Sequence, residues 1–186
     1  MRPIKDFTIF DDFFCCPLGA KETDLDDFIH DDARGYYERE EAVTYGLFYD
    51  MPENELKSYP LGFATLQQDT IQIESKKIPD KNMPAVKIAR FGIRREFHGL
   101  DFGSTFLAMI SQLMSHKGWR FITLNIYCRP VVRFYEKNNF IALGGKPAKL
   151  KPAEQLTMYL DMWKPGPQRD PLKKGRLPFL SPKRSL

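Results

Sequence analysis

Long apolar runs are missing from this sequence. Nowhere do the roughly 18–20 uninterrupted apolar residues of a membrane span occur, so no membrane association is expected. Cysteine and histidine are scarce, three of each. Cys15, Cys16 and Cys128 form neither a disulfide framework nor a spaced metal pattern. No histidine lies close in sequence to Cys15 and Cys16, so nothing local completes a zinc site or activates a thiolate. His30, His98 and His116 are not at ligand spacing either, and no metal centre is expected. The opening MRPIKDFTIFDDFF carries Arg2 and Lys5, but Asp6, Asp11 and Asp12 interrupt its apolar residues at once. It does not read as a secretory signal, which leaves a cytoplasmic protein as the expectation.

A large excess of one charge is also missing, since the net charge is only +4. That figure hides an asymmetry. Residues 1–55 hold fifteen acidic residues against five basic ones, whereas residues 164–186 hold seven basic residues against Asp170 alone. With the end of the chain at +6, residues 1–163 carry about −2, so the body is not a basic nucleic-acid binder. What is abundant is aromatic: fifteen Phe and eight Tyr in 186 residues, 42% of them hydrophobic. Such a composition builds one folded domain with a sizeable core. Residues 1–163 are expected to form it. The Pro- and Lys-rich residues 164–186 lack periodicity and read as a tail.

Along the chain, Leu25, Phe28 and Ile29 recur at helical spacing behind an acidic first turn, and Gly35 weakens the second half of that helix. Ala42–Tyr49 reads as a strand. A second strand is expected over Gly62–Leu66, with Pro60 just outside it and a turn near Gln68–Asp69. Ala85–Ile93 reads as a central strand, in which Ile88 and Arg90 share one face. Phe106, Leu107, Ile110, Leu113 and Met114 mark an amphipathic helix over Thr105–Lys117. Phe121–Tyr127 is a strand, Pro130 opens a helix reaching residue 138, and Phe140–Leu143 and Leu156–Trp163 close the domain as strands.

Between the central strand and the amphipathic helix lies His98-Gly99-Leu100-Asp101-Phe102-Gly103-Ser104. One reading is an ordinary glycine-capped turn. The other is an anion site, because backbone N–H groups and the helix dipole at a helix N-terminus both suit a phosphate. Gly99 and Gly103 would allow close backbone approach, Ser104 would add a hydroxyl, and Arg94 and Arg95 would bring positive charge. The loop is neither a Walker motif nor a dinucleotide fingerprint.

Residues 85–143 resemble the core of the GNAT superfamily of CoA-dependent N-acetyltransferases. Its pyrophosphate loop, Gln/Arg-x-x-Gly-x-Gly/Ala, stands here as His98-Gly99-Leu100-Asp101-Phe102-Gly103, with His98 and Asp101 as the departures. Arg133-Phe134-Tyr135-Glu136-Lys137-Asn138-Asn139-Phe140 is similar to the family's R-F-Y-E-K-x-G-F, with Asn139 in place of glycine. Asn139 tolerates the left-handed backbone of a helix end. The segment LDDFIHDDA, residues 25–33, is also similar to the first helix of the subgroup whose toxins acetylate aminoacyl-tRNA.

The resemblance implies an α/β (α+β) fold whose central mixed, mostly antiparallel sheet has six to seven strands. Helices would flank it, and it would splay open at an acetyl-CoA site between residues 91–93 and 125–127. Phe91, Gly92 and Ile93 would hold the pantetheine arm, and His98 to Ser104 the pyrophosphate. Asn125 would reach the pantetheine or serve only as a strand residue, and Arg133 would reach a phosphate or lie on a solvated face. Tyr135 would protonate the departing CoA thiolate. No carboxylate lies in residues 85–93, so the general base is unassigned, with Glu74 on the preceding segment as its candidate. An α-amine of an aminoacyl ester, having a low pKa, would need little help from a base. The implied acceptor is a primary amine on a small molecule, a peptide or an aminoacyl-tRNA. A catalytically impaired binding protein of the same fold is the other reading, and a homodimer and an antitoxin contact by the tail are left open.

Overall fold

One long hairpin organises the sheet. In the computed structural model, which describes residues 1–16, 24–50, 58–72, 82–127, 129–144 and 155–163, β3 (Ser58–Gln72) and β4 (Asn82–Ile93) pair antiparallel along nearly their whole length. On the far side of β3 lie β2 (Val43–Asp50) and the short β1 (Arg2–Pro3). Beyond β4 come β5 (Phe121–Ile126), β7 (Leu156–Asp161) and β6 (Ile141–Ala142). Among the described residues the sheet thus has seven strands in the order β1-β2-β3-β4-β5-β7-β6, and only the β4–β5 pair is parallel. That is the expected α+β sheet.

Helices cover both faces. On one, Phe106, Leu107, Ile110 and Met114 of α3 (Phe102–His116) join Tyr135 of α4 (Arg129–Lys137) over Leu66, Val86, Ile88 and Leu124. The apolar spacing that marked α3 in the sequence is the stripe it buries. On the other face, Ile4, Phe7, Phe10 and Phe13 join α1 (Asp24–Asp27) and the π turn that follows it (Phe28–Asp32). That turn leads into α2 (Ala33–Glu38). Here Phe63 is sealed by the rings of Phe10, Phe13 and Phe28 at 6.1, 5.6 and 6.3 Å.

Three expectations about the strands need correction. No turn occurs at Gln68–Asp69, because β4 begins early enough to pair these residues with Val86 and Ala85. Pro60 lies inside β3, opposite Phe48 and beside the register shift between Leu47 and Phe48. A broken ladder is where a residue without an N–H is tolerated. Finally, Ile88 and Arg90 do not share a face. Thr65 pairs with Arg90 while Leu66 pairs with Ile88, so Ala89 is an extra residue in β4 and the strand bulges there.

Candidate active site

The bulge coincides with the end of the β4–β5 ladder. That parallel pairing runs from Ala85–Phe121 to Ile88–Leu124 and goes no further, although β4 continues to Ile93 and β5 to Ile126. An inserted residue bends its strand and interrupts pairing, which accounts for the β4–β5 ladder ending at Ile88. The backbone geometry tells which groups are left over. The N–H of Arg94 donates to the Leu61 carbonyl at 2.8 Å, toward β3. Backbone groups alternate along a strand, so those of Ile93 and Phe91 turn to the opposite edge, where β5 no longer pairs. The Ile93 carbonyl accepts a hydrogen bond from His98 Nε2 at 2.8 Å. The Phe91 N–H and carbonyl have no strand partner on that edge among the described residues.

The loop after β4 presents a second set of unpaired donors. Gly99 has φ +78° and Asp101 φ +59°, so the chain reaches α3 through two left-handed residues. The first intrahelical bond runs from Thr105 N–H to the Asp101 carbonyl at 3.0 Å. The N–H groups of Phe102, Gly103 and Ser104 therefore lack a partner within the helix, and the Asp101 side chain does not cap them. This end of α3 is polarised for an anion. Gly99 is required by its backbone, with nothing near an added Cβ, whereas Gly103 is required by packing. A Cβ on Gly103 would come within 3.0 Å of the Phe134 ring and 3.7 Å of Ile93.

Phe134 carries the contact onward to Tyr135. The Phe91 ring lies 6.2 Å from Phe134, and Phe134 lies 5.0 Å from Tyr135, which also meets Phe140 at 5.5 Å. The phenol is buried, and burial pushes its pKa well up, so it stays a protonated donor. Among the described residues the one fully enclosed side-chain nitrogen or oxygen without a hydrogen-bond partner is Arg90 Nε. The Tyr135 hydroxyl makes no hydrogen bond to a described residue.

Several expected site residues lie elsewhere. Arg94 and Arg95 do not serve the anion loop. Arg94 is buried between the rings of Phe13 and Tyr59, with Nε donating to the Pro60 carbonyl at 3.2 Å. Arg95 Nε donates to the Cys16 carbonyl at 2.7 Å. The sequence put both cations beside the loop but gave no sign of the N-terminal segment that claims them. The Ser104 hydroxyl accepts from Asn138 Nδ2 at 3.3 Å and so ties α3 to α4. Asn125 lies on the α1 face, opposite Tyr135, and its Oδ1 accepts from the Thr157 hydroxyl at 3.1 Å. Arg133 and Leu100 are exposed. Glu74, Cys128 and residues 164–186 lie outside the described residues.

One buried polar cluster escaped the sequence reading. Asp26 Oδ1 accepts from the Cys15 N–H at 2.7 Å, the Cys15 thiol at 3.1 Å and the Cys16 N–H at 3.3 Å. Burial pushes the Asp26 carboxyl up, but these donors outweigh it and hold the group below its usual range. Burial and the Asp26 charge push the Cys15 thiol far up, so it stays a thiol. The cluster pins the N-terminal segment beneath β4: a Cβ on Gly92 would meet Cys15 Sγ at 3.0 Å.

No family model and no curated protein matches the sequence. Solved structures do match the fold, among them those of the toxin AtaT. A Tyr-to-Phe variant of the toxin AtaT superposes with a TM-score of 0.65 at 20% identity, over 87% of this chain and 88% of that one. AtaT complexed with acetyl-methionyl-tRNAfMet gives 0.62 at 22% identity, over 84% and 87%. The same AtaT variant with the C-terminus of the antitoxin AtaR and acetyl-CoA gives 0.60 at 19%, over 81% and 84%.

Proposed function

We propose that this chain is an acetyl-CoA-dependent N-acetyltransferase whose acceptor is the α-amine of an aminoacyl-tRNA. The observation that carries the reading is the interrupted β4–β5 ladder, which leaves the Phe91 and Ile93 backbone facing a gap beside the open N-terminus of α3. AtaT, of the same fold, is complexed in its structures with acetyl-methionyl-tRNAfMet and with acetyl-CoA. The basic residues 164–186 add a sequence-independent attraction for RNA phosphates.

The free donors at Phe102, Gly103 and Ser104 fit a pyrophosphate, and the free edge at Phe91 fits the amides of a pantetheine arm. Bound there, acetyl-CoA supplies an activated acetyl thioester. The acceptor amine attacks as the neutral base: its nitrogen bonds to the acetyl carbon, the carbon–sulfur bond breaks, and the nitrogen's extra proton leaves to water. The Phe91 N–H is the donor for charge growing on the acetyl oxygen. Tyr135, kept protonated by burial, donates its proton toward the departing sulfur and regains one from solvent.

This assignment fixes a pH profile. The rate should rise as the acceptor amine deprotonates, below the ordinary α-amino value of about 8 because the ester carbonyl withdraws electrons from the amine. It should not fall at the ordinary tyrosine pKa of about 10, because burial raises that of Tyr135. Initial rates between pH 6 and 11 check this, and a falling limb centred on the ordinary tyrosine value would contradict it. Asp101 supplies another check. Its exposed carboxylate sits at a left-handed position beside the proposed anion site. Asp101→Gly removes the charge and relaxes the backbone, and acetyl-CoA affinity should rise about threefold or more, read by calorimetry. The acceptor itself is tested by incubating the protein with labelled acetyl-CoA and charged tRNA. Label is expected on the aminoacyl ester; label only on protein or on free amines would overturn the acceptor assignment.

A further inference from the structure

The bulge that opens the sheet also creates a pocket on the opposite face from Tyr135. Phe28 and Tyr36 wall it, Thr65 and Gln67 of β3 and Ala89 and Arg90 of β4 floor it, and its volume is about 40 Å³. Because Ala89 is the extra residue, it and Arg90 both face this pocket, which an unbulged strand would not allow. The Arg90 guanidinium carbon lies over the Phe28 ring, 5.1 Å from its centroid, and one terminal nitrogen donates to the Ala89 carbonyl at 3.1 Å. Its Nε forms an ion pair with an Asp24 oxygen at 3.7 Å, too long for a hydrogen bond, and is enclosed without a hydrogen-bond partner. A buried donor left unsatisfied costs free energy that an incoming oxygen recovers.

We infer that this pocket holds the side chain of the acceptor's aminoacyl group, and that Arg90 selects small side chains bearing an oxygen. The inference rests on the acceptor proposed above. The pocket floor includes Ala89 and Arg90, the two residues between Ile88, the last β4 residue paired with β5, and Phe91, the first residue proposed to meet the thioester. A volume of about 40 Å³ accommodates a few heavy atoms, enough for a seryl or threonyl group and too little for an indole. Phe28 and Tyr36 supply apolar walls, and Thr65, Gln67 and Arg90 supply the polar floor.

The test uses the methyl esters of serine and tryptophan as model aminoacyl esters, titrated into isotope-labelled protein holding CoA. Serine ester is expected to shift the backbone amides of Thr65, Gln67 and Ala89, and to bind at least tenfold more tightly than tryptophan ester. Arg90→Gln should weaken serine ester at least tenfold while acetyl-CoA affinity stays within twofold. Tyr36→Ala, which widens the pocket, should narrow the gap between the two esters. Equal binding of both esters, shifts confined to other residues, or serine-ester affinity unchanged in Arg90→Gln would overturn the inference. If the esters behave as expected but no charged tRNA is acetylated, the pocket stands and the acceptor class falls. If charged tRNA is acetylated with the same preference in wild type and Arg90→Gln, the acceptor class stands and the pocket falls.

Discussion

Replacing Tyr135 by phenylalanine is expected to lower acetyl transfer by about a hundredfold or more while leaving acetyl-CoA affinity within about twofold. The ring packs against Phe134 and Phe140, and phenylalanine keeps both contacts. Only the hydroxyl is lost, and that hydroxyl makes no hydrogen bond to a described residue that could hold the fold. A purely structural Tyr135 would therefore show little change in any readout. A proton donor to the leaving thiolate shows a loss of turnover alone. Single-turnover rates with saturating acetyl-CoA, beside a calorimetric titration of both proteins, separate the two roles. Equal turnover would remove Tyr135 from the chemistry.

Asp26→Ala should have the largest effect on stability. It strands the Cys15 N–H, the Cys15 thiol and the Cys16 N–H in a buried site. A loss of about 3 kcal/mol is expected, which lowers Tm by roughly 6–12 °C in a domain of this size. Since the donors hold the Asp26 carboxyl below its usual range, their contribution is fully present above the unfolded value of about 4 and is lost as pH falls through the lowered folded value. The wild type should thus lose stability on acidification below about pH 4, and Asp26→Ala should show a flatter profile there. Thermal melts at several pH values check both points. The variant should also bind acetyl-CoA less well, because Cys15 backs Gly92 and the Cys16 carbonyl anchors Arg95 just before the anion loop. A Tm change under about 2 °C would reduce the cluster to a surface detail.

The parts of the site that were legible in the sequence are local. Gly99, the amphipathic run of α3 and the left-handed Asn139 each answer to a short-range rule, and each is found where the chain implied. The element order from β4 to α4 follows from the same periodicities. The bulge at Ala89 was not legible, because it arises from a mismatch of register between β3 and β4, whose paired residues lie far apart in sequence. Without it, strict alternation puts Arg90 on the same face as Ile88, where no such pocket lies among the described residues.

Arg94 and Arg95 failed for a related reason. Two cations before a glycine-bearing loop look like phosphate ligands until the N-terminal segment brings Phe13 and the Cys16 carbonyl to them. That segment has no helical or strand period to announce its position. Gly103 gave the right residue for a partly different cause, since its missing side chain makes room for Phe134. The helix N-terminus it belongs to is still the open, polarised end that the loop implied.

The most direct measurement of the central claim, an acyl-CoA site in the gap between β4 and β5, is an isothermal titration of the chain with acetyl-CoA. One-site binding with a dissociation constant of about 1–100 μM is expected, weakened at least tenfold when Gly103 is changed to valine and the Phe134 ring is driven from its place. No heat at about 1 mM acetyl-CoA would contradict the account, because a gap and an anion loop that hold no cofactor at that concentration are not an acetyl-transfer site.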